Sequence, residues 1–210
     1  MTIAPSLESL LDELLEAGEH ADKDELQAIQ AHDQAAVPRL VEMATDRELI
    51  RADSDAPEVW APTHAMRLLG RLQAAEAVPP LLALLEEEQE ADWIYKELPE
   101  VMAQIGPAAA GLLKAYAADR DRYLYGRSAA SESLVKIAQA HPETRQATVD
   151  FLRTFLPAYP DDRPDDETFR AFVVGDLLDL KAKEAYPDIE TGLPRGSRGR
   201  HDRRSGRRTA

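Results

Sequence analysis

No cysteine occurs among the 210 residues, which excludes disulfide scaffolds, thiolate zinc sites, iron–sulfur clusters and cysteine nucleophiles. Long apolar runs are missing too. The longest stretch without a charge, 101–113, covers 13 residues, well short of the ~20 that a membrane-spanning helix requires. No basic residue precedes Lys23, whereas Glu8, Asp12, Glu13 and Glu16 crowd the start. A secretory leader opens with positive charge, so none is expected and a cytoplasmic location is. Aromatic residues make up only 6% of the chain, so the few positions they occupy carry weight.

Hydrophobic residues at 44% suffice for a packed core, with 30% charged residues to solvate it. The length fits one domain or one solenoid of small units. Charge divides unevenly. Residues 191–210 hold Arg195, Arg198, Arg200, Arg203, Arg204, Arg207 and Arg208 against the single acid Asp202. Residues 1–190 hold 18 basic and 38 acidic side chains, a formal charge of −20 against +6 on the tail. Such a body repels nucleic acid and anionic membrane, because phosphate contacts need cations. The tail has too little apolar surface to offset the entropy of ordering and is expected to be disordered.

Apolar residues recur at i, i+3, i+4 and i+7, the stripe of a half-buried helix. The complete stripes are Val37/Leu40/Val41/Ala44, Val78/Leu81/Leu82/Leu85, Ala109/Leu112/Leu113/Tyr116 and Thr148/Phe151/Leu152/Phe155. Partner helices precede the later ones at Ala65/Leu68/Leu69/Leu72 and Leu98/Val101/Met102/Ile105. Ala130/Leu134/Ile137 and Val173/Leu177/Leu180 are weaker copies, with Ser133 and Asp176 in the missing places. Short turns containing Pro79, Pro107 and Pro142 separate the paired helices, and proline suits a first helical turn. Helix pairs too small to bury their own stripes must stack. The pattern predicts an all-α, right-handed α-solenoid in 1–190: a cap helix at 5–17, pairs at 22–46, 60–88, 92–118 and 123–156, and a half unit at 166–190. Residues 47–58 and 157–165 read as an insertion and a loop.

The run Met66-Arg-Leu-Leu-Gly-Arg-Leu-Gln-Ala-Ala-Glu-Ala-Val-Pro-Pro-Leu-Leu-Ala-Leu-Leu resembles a HEAT-like repeat of the phycobilisome-lyase type. Ala35-Ala-Val-Pro-Arg-Leu and Val101-Met-Ala-Gln-Ile-Gly-Pro-Ala-Ala-Ala-Gly-Leu-Leu look like degenerate copies, so the resemblance covers 35–156. It implies a superhelix whose second helices line a concave face that holds a protein partner. Some members of that class are bilin lyases or their chaperones, and another HEAT-like group contains alkylpurine DNA glycosylases. The matching residues are those that pack helices, so the resemblance carries a scaffold and not a chemistry. A charge of −20 is at odds with the cationic groove a glycosylase implies.

Candidate chemistry is thin. His20, His32, His64, His141 and His201 form no i, i+4 pair, so capping or exposure accounts for them better than a metal. Ser128, Ser131 and Ser133 lack a nucleophile elbow and read as capping or small-residue packing. In 161–167, Asp165 or Asp166 is expected as a helix N-cap, since the spacing lacks the glycine of a calcium loop. Glu86, Glu87 and Glu88 open an acidic run at a helix end, either a solvated terminus or a docking point for a basic segment. Trp93, Tyr95, Tyr123 and Tyr125 fall near the starts of consecutive first helices, with Trp60 opening the unit before. Equivalent positions in stacked units lie side by side, so these rings form either one partner-anchoring patch or inter-repeat packing. Arg120 and Arg122 sit in the neighbouring loop as a polar rim.

The expected function is a non-catalytic protein-binding scaffold or adaptor, without cofactor or metal, whose acidic surface takes a basic partner segment between aromatic anchors. The alternative is a bilin-lyase-like enzyme or chaperone subunit. A third reading gives the function to the arginine-rich tail, as an arm for nucleic acid or an acidic partner. The tail also reads as an altered reading frame past Glu190, because the last stripe, with Tyr186 and Ile189 in place, breaks off there. The pattern leaves the oligomeric state open.

Overall fold

Among the described residues every regular element is helical. The computed structural model describes residues 5–158 and 161–192; Tyr159, Pro160 and the tail from 193 onward, with the readings made of it, lie outside them. The chain runs through α1 (Leu7–Glu16), α2 (Lys23–Gln30), α3 (Val37–Ala44), the single turn α4 (Arg47–Ile50), α5 (Ala61–Arg71) and α6 (Val78–Glu87). It continues through α7 (Asp92–Ile105), α8 (Ala110–Ala118), α9 (Leu124–Ala140), α10 (Arg145–Arg153), α11 (Pro164–Asp179) and α12 (Tyr186–Gly192).

Local chemistry sets the starts. Ser6, Asp22 and Asp46 accept backbone amides in the first turns of α1, α2 and α4, satisfying donors that have no partner in the helix. The expected insertion at 47–58 thus holds a capped turn, α4. One device then recurs: a short 3₁₀ turn leads directly into α3, α6, α8, α10 and α12, at Asp33–Ala36, Ala75–Ala77, Gly106–Ala109, Pro142–Thr144 and Lys183–Ala185. Gln73-Ala-Ala-Glu-Ala-Val-Pro and Lys181-Ala-Lys-Glu-Ala-Tyr-Pro are two settings of one turn, each entered through a left-handed residue, Gln73 at φ 52° and Lys181 at φ 51°. Gly106, at φ 84°, makes the corresponding break without a Cβ penalty.

Packing follows chain order. α3 lies on α5, α5 on α7, α7 on α9 and α9 on α11, with α8 also against α9. A single core cluster runs through the described chain, from Leu10 and Leu14 to Leu177 and Ala185. Close approaches need small residues: a Cβ on Gly126 would stand 2.7 Å from the Tyr116 hydroxyl and 3.2 Å from Leu85 Cβ. Gly126 therefore lets the first turn of α9 seat against α6 and α8. Pro99 lies inside α7, and its ring nitrogen has no hydrogen to give the Tyr95 carbonyl.

Several expectations need correction. His64, expected to cap a helix or lie exposed, does neither: α5 begins at Ala61, with Pro62 in its first turn. His64 is buried, with a ring nitrogen 2.8 Å from the Gly18 carbonyl. α11 is capped at Arg163, not at Asp165 or Asp166, because Pro164 supplies the first helical residue. Asp166 instead reaches back from the third helical position and accepts the Arg163 amide at 3.0 Å. Leu112, placed on a buried stripe, is exposed. Ser133 and Asp176, the polar gaps in the weaker stripes, are buried.

Candidate functional site

The first turns of α7 and α9 and the middle of α11 meet at an open cleft of about 470 Å³, with Tyr95, Tyr123, Tyr125 and Phe172 among its walls. The rings touch in series. Tyr95 and Tyr123 pack edge to face at 6.2 Å between centroids, Tyr123 and Tyr125 at 5.5 Å, and Tyr125 leans on Phe172 at 6.1 Å. Edge-to-face contact sets the positive ring edge against a negative ring face. The series grades from inside to outside: Tyr95 is half-buried, whereas Tyr125 is 52% and Phe172 36% exposed. Burial pushes the Tyr95 phenol up to about 12, helped by Tyr123, Glu86 and Asp92, so it stays protonated and donates to the Leu85 carbonyl at 3.1 Å.

Glu86 holds the tyrosine end in place. Its Oε1 accepts the Tyr116 hydroxyl at 2.5 Å and the Tyr123 backbone amide at 3.1 Å. This ties the end of α6 to α8 and to the residue that caps α9. Burial and the bond to Glu86 both raise the Tyr116 hydroxyl well above its ordinary range. The cleft's rim is polar, with the acids Asp92 and Glu132 against Lys96 and the neutral Gln89 and Ser128. Burial raises the Glu132 carboxyl; Lys136 opposes the shift while Glu100 and Asp179 add to it.

The other sequence-selected residues lie elsewhere. Trp93 faces a separate hollow shared with Ile50, Arg51 and the 86–91 segment, and neither it nor Trp60 joins the ring series. Glu87 pairs with Arg47 at 2.6 Å. Glu88 is buried and grips the Arg51 guanidinium with both oxygens, at 2.9 and 2.8 Å. Arg120 reaches away from the tyrosines to Asp161 and Asp166, and the Asp166 bond raises its already high pKa. Arg122 bonds Asp119 at 3.1 Å and lies 5.1 Å from the Tyr116 ring centre. The expected single patch of five aromatics and two arginines is thus divided, with the three tyrosines together.

Phe172 escaped the sequence reading because it lies on the outer side of a weak stripe, and nothing local marks its meeting with Tyr125. Behind the cleft, the α9–α11 seam buries polar groups. The Arg127 guanidinium lies 4.1 Å from the Phe169 ring centre, donates to the Ala117 carbonyl at 3.0 Å and pairs with Asp166 at 3.5 Å. Asp176, beside Ser131, is 8% exposed, and burial pushes its carboxyl up to about 7.

Among the described residues no group of three or more His, Asp or Glu is arranged to hold a metal ion. No described helix is long and apolar enough to cross a membrane. No family model, curated protein or solved structure matches the chain.

Proposed function

We propose that this chain is a non-catalytic scaffold or adaptor, a right-handed α-solenoid of HEAT-like helix pairs that holds a basic segment of another protein. Two features support the architecture: the long helices pack in chain order, and a short 3₁₀ turn leads into α3, α6, α8, α10 and α12, as another, Pro57–Trp60, does into α5. The observation that carries the function is the ring series Tyr95–Tyr123–Tyr125–Phe172, partly open to solvent and edged by Asp92 and Glu132. Aromatic side chains dominate interface energetics, and charge complementarity steers the partner. An acidic body of −20 selects for basic partners.

Fluorescence anisotropy with labelled peptides tests this on the full chain at about 0.15 M salt. A basic peptide is expected to bind in the micromolar range and to weaken as salt rises, and its acidic counterpart is not. Failure of every basic peptide overturns the proposal. A shifted absorption spectrum on adding a linear tetrapyrrole would favour the bilin-lyase alternative instead. Binding of duplex DNA or RNA would move the function to the arginine-rich tail.

A further inference from the structure

The cleft between α7, α9 and α11 is more specific than an acidic surface. Its walls are π faces and edges, its rim carries Asp92 and Glu132, and Lys96 is the cation among its lining residues. At about 470 Å³ and partly open to solvent, it has room for a long side chain with part of its backbone, beyond what a single ammonium head requires. An anion would meet two carboxylates there. A purely apolar side chain would cover Glu132 without giving it a counter-charge, at a desolvation cost.

We propose that this cleft is a subsite for one arginine side chain of an extended peptide. The guanidinium stacks against the exposed Tyr125–Phe172 end of the ring series and pairs with the rim carboxylates. A planar, weakly hydrated guanidinium uses an aromatic face and a carboxylate together, which a compact ammonium does less well. The Glu132 carboxyl, raised by burial and by Glu100 and Asp179 despite Lys136, gains from such a partner a second cation. Glu86 and Gly126 act at one remove. The first fixes the start of α9 through the Tyr123 amide, and the second lets that turn approach α8 closely. This inference rests on the scaffold reading and names the side chain that reading leaves open.

The test is isothermal titration of the full chain with four otherwise identical peptides carrying arginine, lysine, citrulline or leucine at one central position. The peptides are used in excess over the chain's own tail arginines. Citrulline keeps the shape of arginine and removes its charge. The arginine peptide is expected to bind best, lysine several-fold weaker, and citrulline and leucine at least tenfold weaker. Glu132→Gln changes an exposed residue and is expected to keep the wild-type melting temperature, whereas Tyr125→Ala also removes the ring contacts to Tyr123 and Phe172 and is expected to lower it by a few degrees without unfolding the chain. Each should weaken the arginine peptide about fivefold or more, whereas Glu87→Gln should not. Amide shifts in the NMR spectrum should cluster at 123–132 and around Phe172. Equal affinity for the citrulline peptide, or unchanged affinity in both cleft variants, would overturn the subsite while leaving the scaffold reading intact. No binding by any basic peptide would overturn both.

Discussion

The buried residues of α5 and α7 include Ala65, Met66, Leu68 and Leu69 on one helix and Ile94, Leu98, Val101 and Met102 on the other. Their charged contact, Arg67 gripping Glu97 at 2.9 and 2.6 Å, is only partly buried. α9 and α11 also bring apolar residues together, but they bury Arg127, Ser131, Ser133, Asp166, Arg170 and Asp176 as well. The first seam is held chiefly by removing hydrocarbon from water, which is indifferent to pH; the buried His64 of α5 turns instead to the Gly18 carbonyl. The second depends on the protonation of two carboxyl groups on one helix, and these are shifted in opposite directions. The Arg120 side chain bonds Asp166 and holds its carboxyl below the ordinary range, against burial and with help from the Arg163 amide. Burial pushes Asp176 up to about 7, only partly offset by the bond to Ser131 and reinforced by Glu132 and Asp179.

Chemical denaturation across pH should separate the two seams. Leu98→Ala, at a fully buried site, is expected to cost about 3 kcal/mol at every pH where the chain is folded. Asp166→Ala should cost about as much, ~3 kcal/mol, at neutral pH, because it removes the carboxylate shared by the buried Arg127 and the partly buried Arg120. A depressed carboxyl stabilises the fold above its unfolded value of about 4 and loses that contribution as pH falls through the folded value. The Asp166→Ala deficit should therefore shrink in acid while that of Leu98→Ala persists. If both deficits stay constant with pH, the ion pair contributes nothing.

Asp176 has the reverse sign. Its unfolded carboxyl ionises near pH 4 and its folded one near 7. The native state therefore loses stability as pH rises between those values, and the loss stays in place above them. Asp176→Asn is expected to exceed the parent by ~2 kcal/mol at pH 8 and to converge on it near pH 4. A parallel pair of curves would show that the acid is already solvated. Gly126→Ala, which forces a Cβ towards the Tyr116 hydroxyl, should cost about 1–2 kcal/mol by overpacking. It should also disturb the tyrosine near-ultraviolet circular dichroism. At the small end, Glu8→Gln removes an exposed contact to Arg39, and unfolding curves are expected to coincide with the parent's.

Much of this contrast was written in the apolar stripes. Val78/Leu81/Leu82/Leu85 lies on α6 and is buried throughout, and Ala130/Leu134/Ile137 lies buried on α9. The irregular places carried the information that periodicity treats as noise. Ser133 and Asp176 interrupt their stripes as polar residues, yet both are inside, because the neighbouring helix surface covers them whatever their chemistry. The candidate site was legible only in part. Tyr95, Tyr123 and Tyr125 come together from the starts of α7 and α9, two successive long helices. Glu86 and Glu88 are two residues apart yet serve different partners, because a helix turns ~100° per residue and Glu88 also lies at the helix end, facing Arg51. No local pattern reports a partner 37 residues away. Arg127 and Phe172 follow the same rule.

Phe172 belongs to the last long helix, and Tyr95 to a helix much earlier in the chain, so the cleft keeps its Phe172 wall only while α11 is docked. Whatever fills it becomes a clamp on the C-terminal end of the described chain, since an open α11 cannot hold it. Local opening of that helix then grows rarer by the factor one plus ligand concentration over Kd. Hydrogen exchange along α11 is thus a readout of occupancy at a site whose other walls lie in α7 and α9.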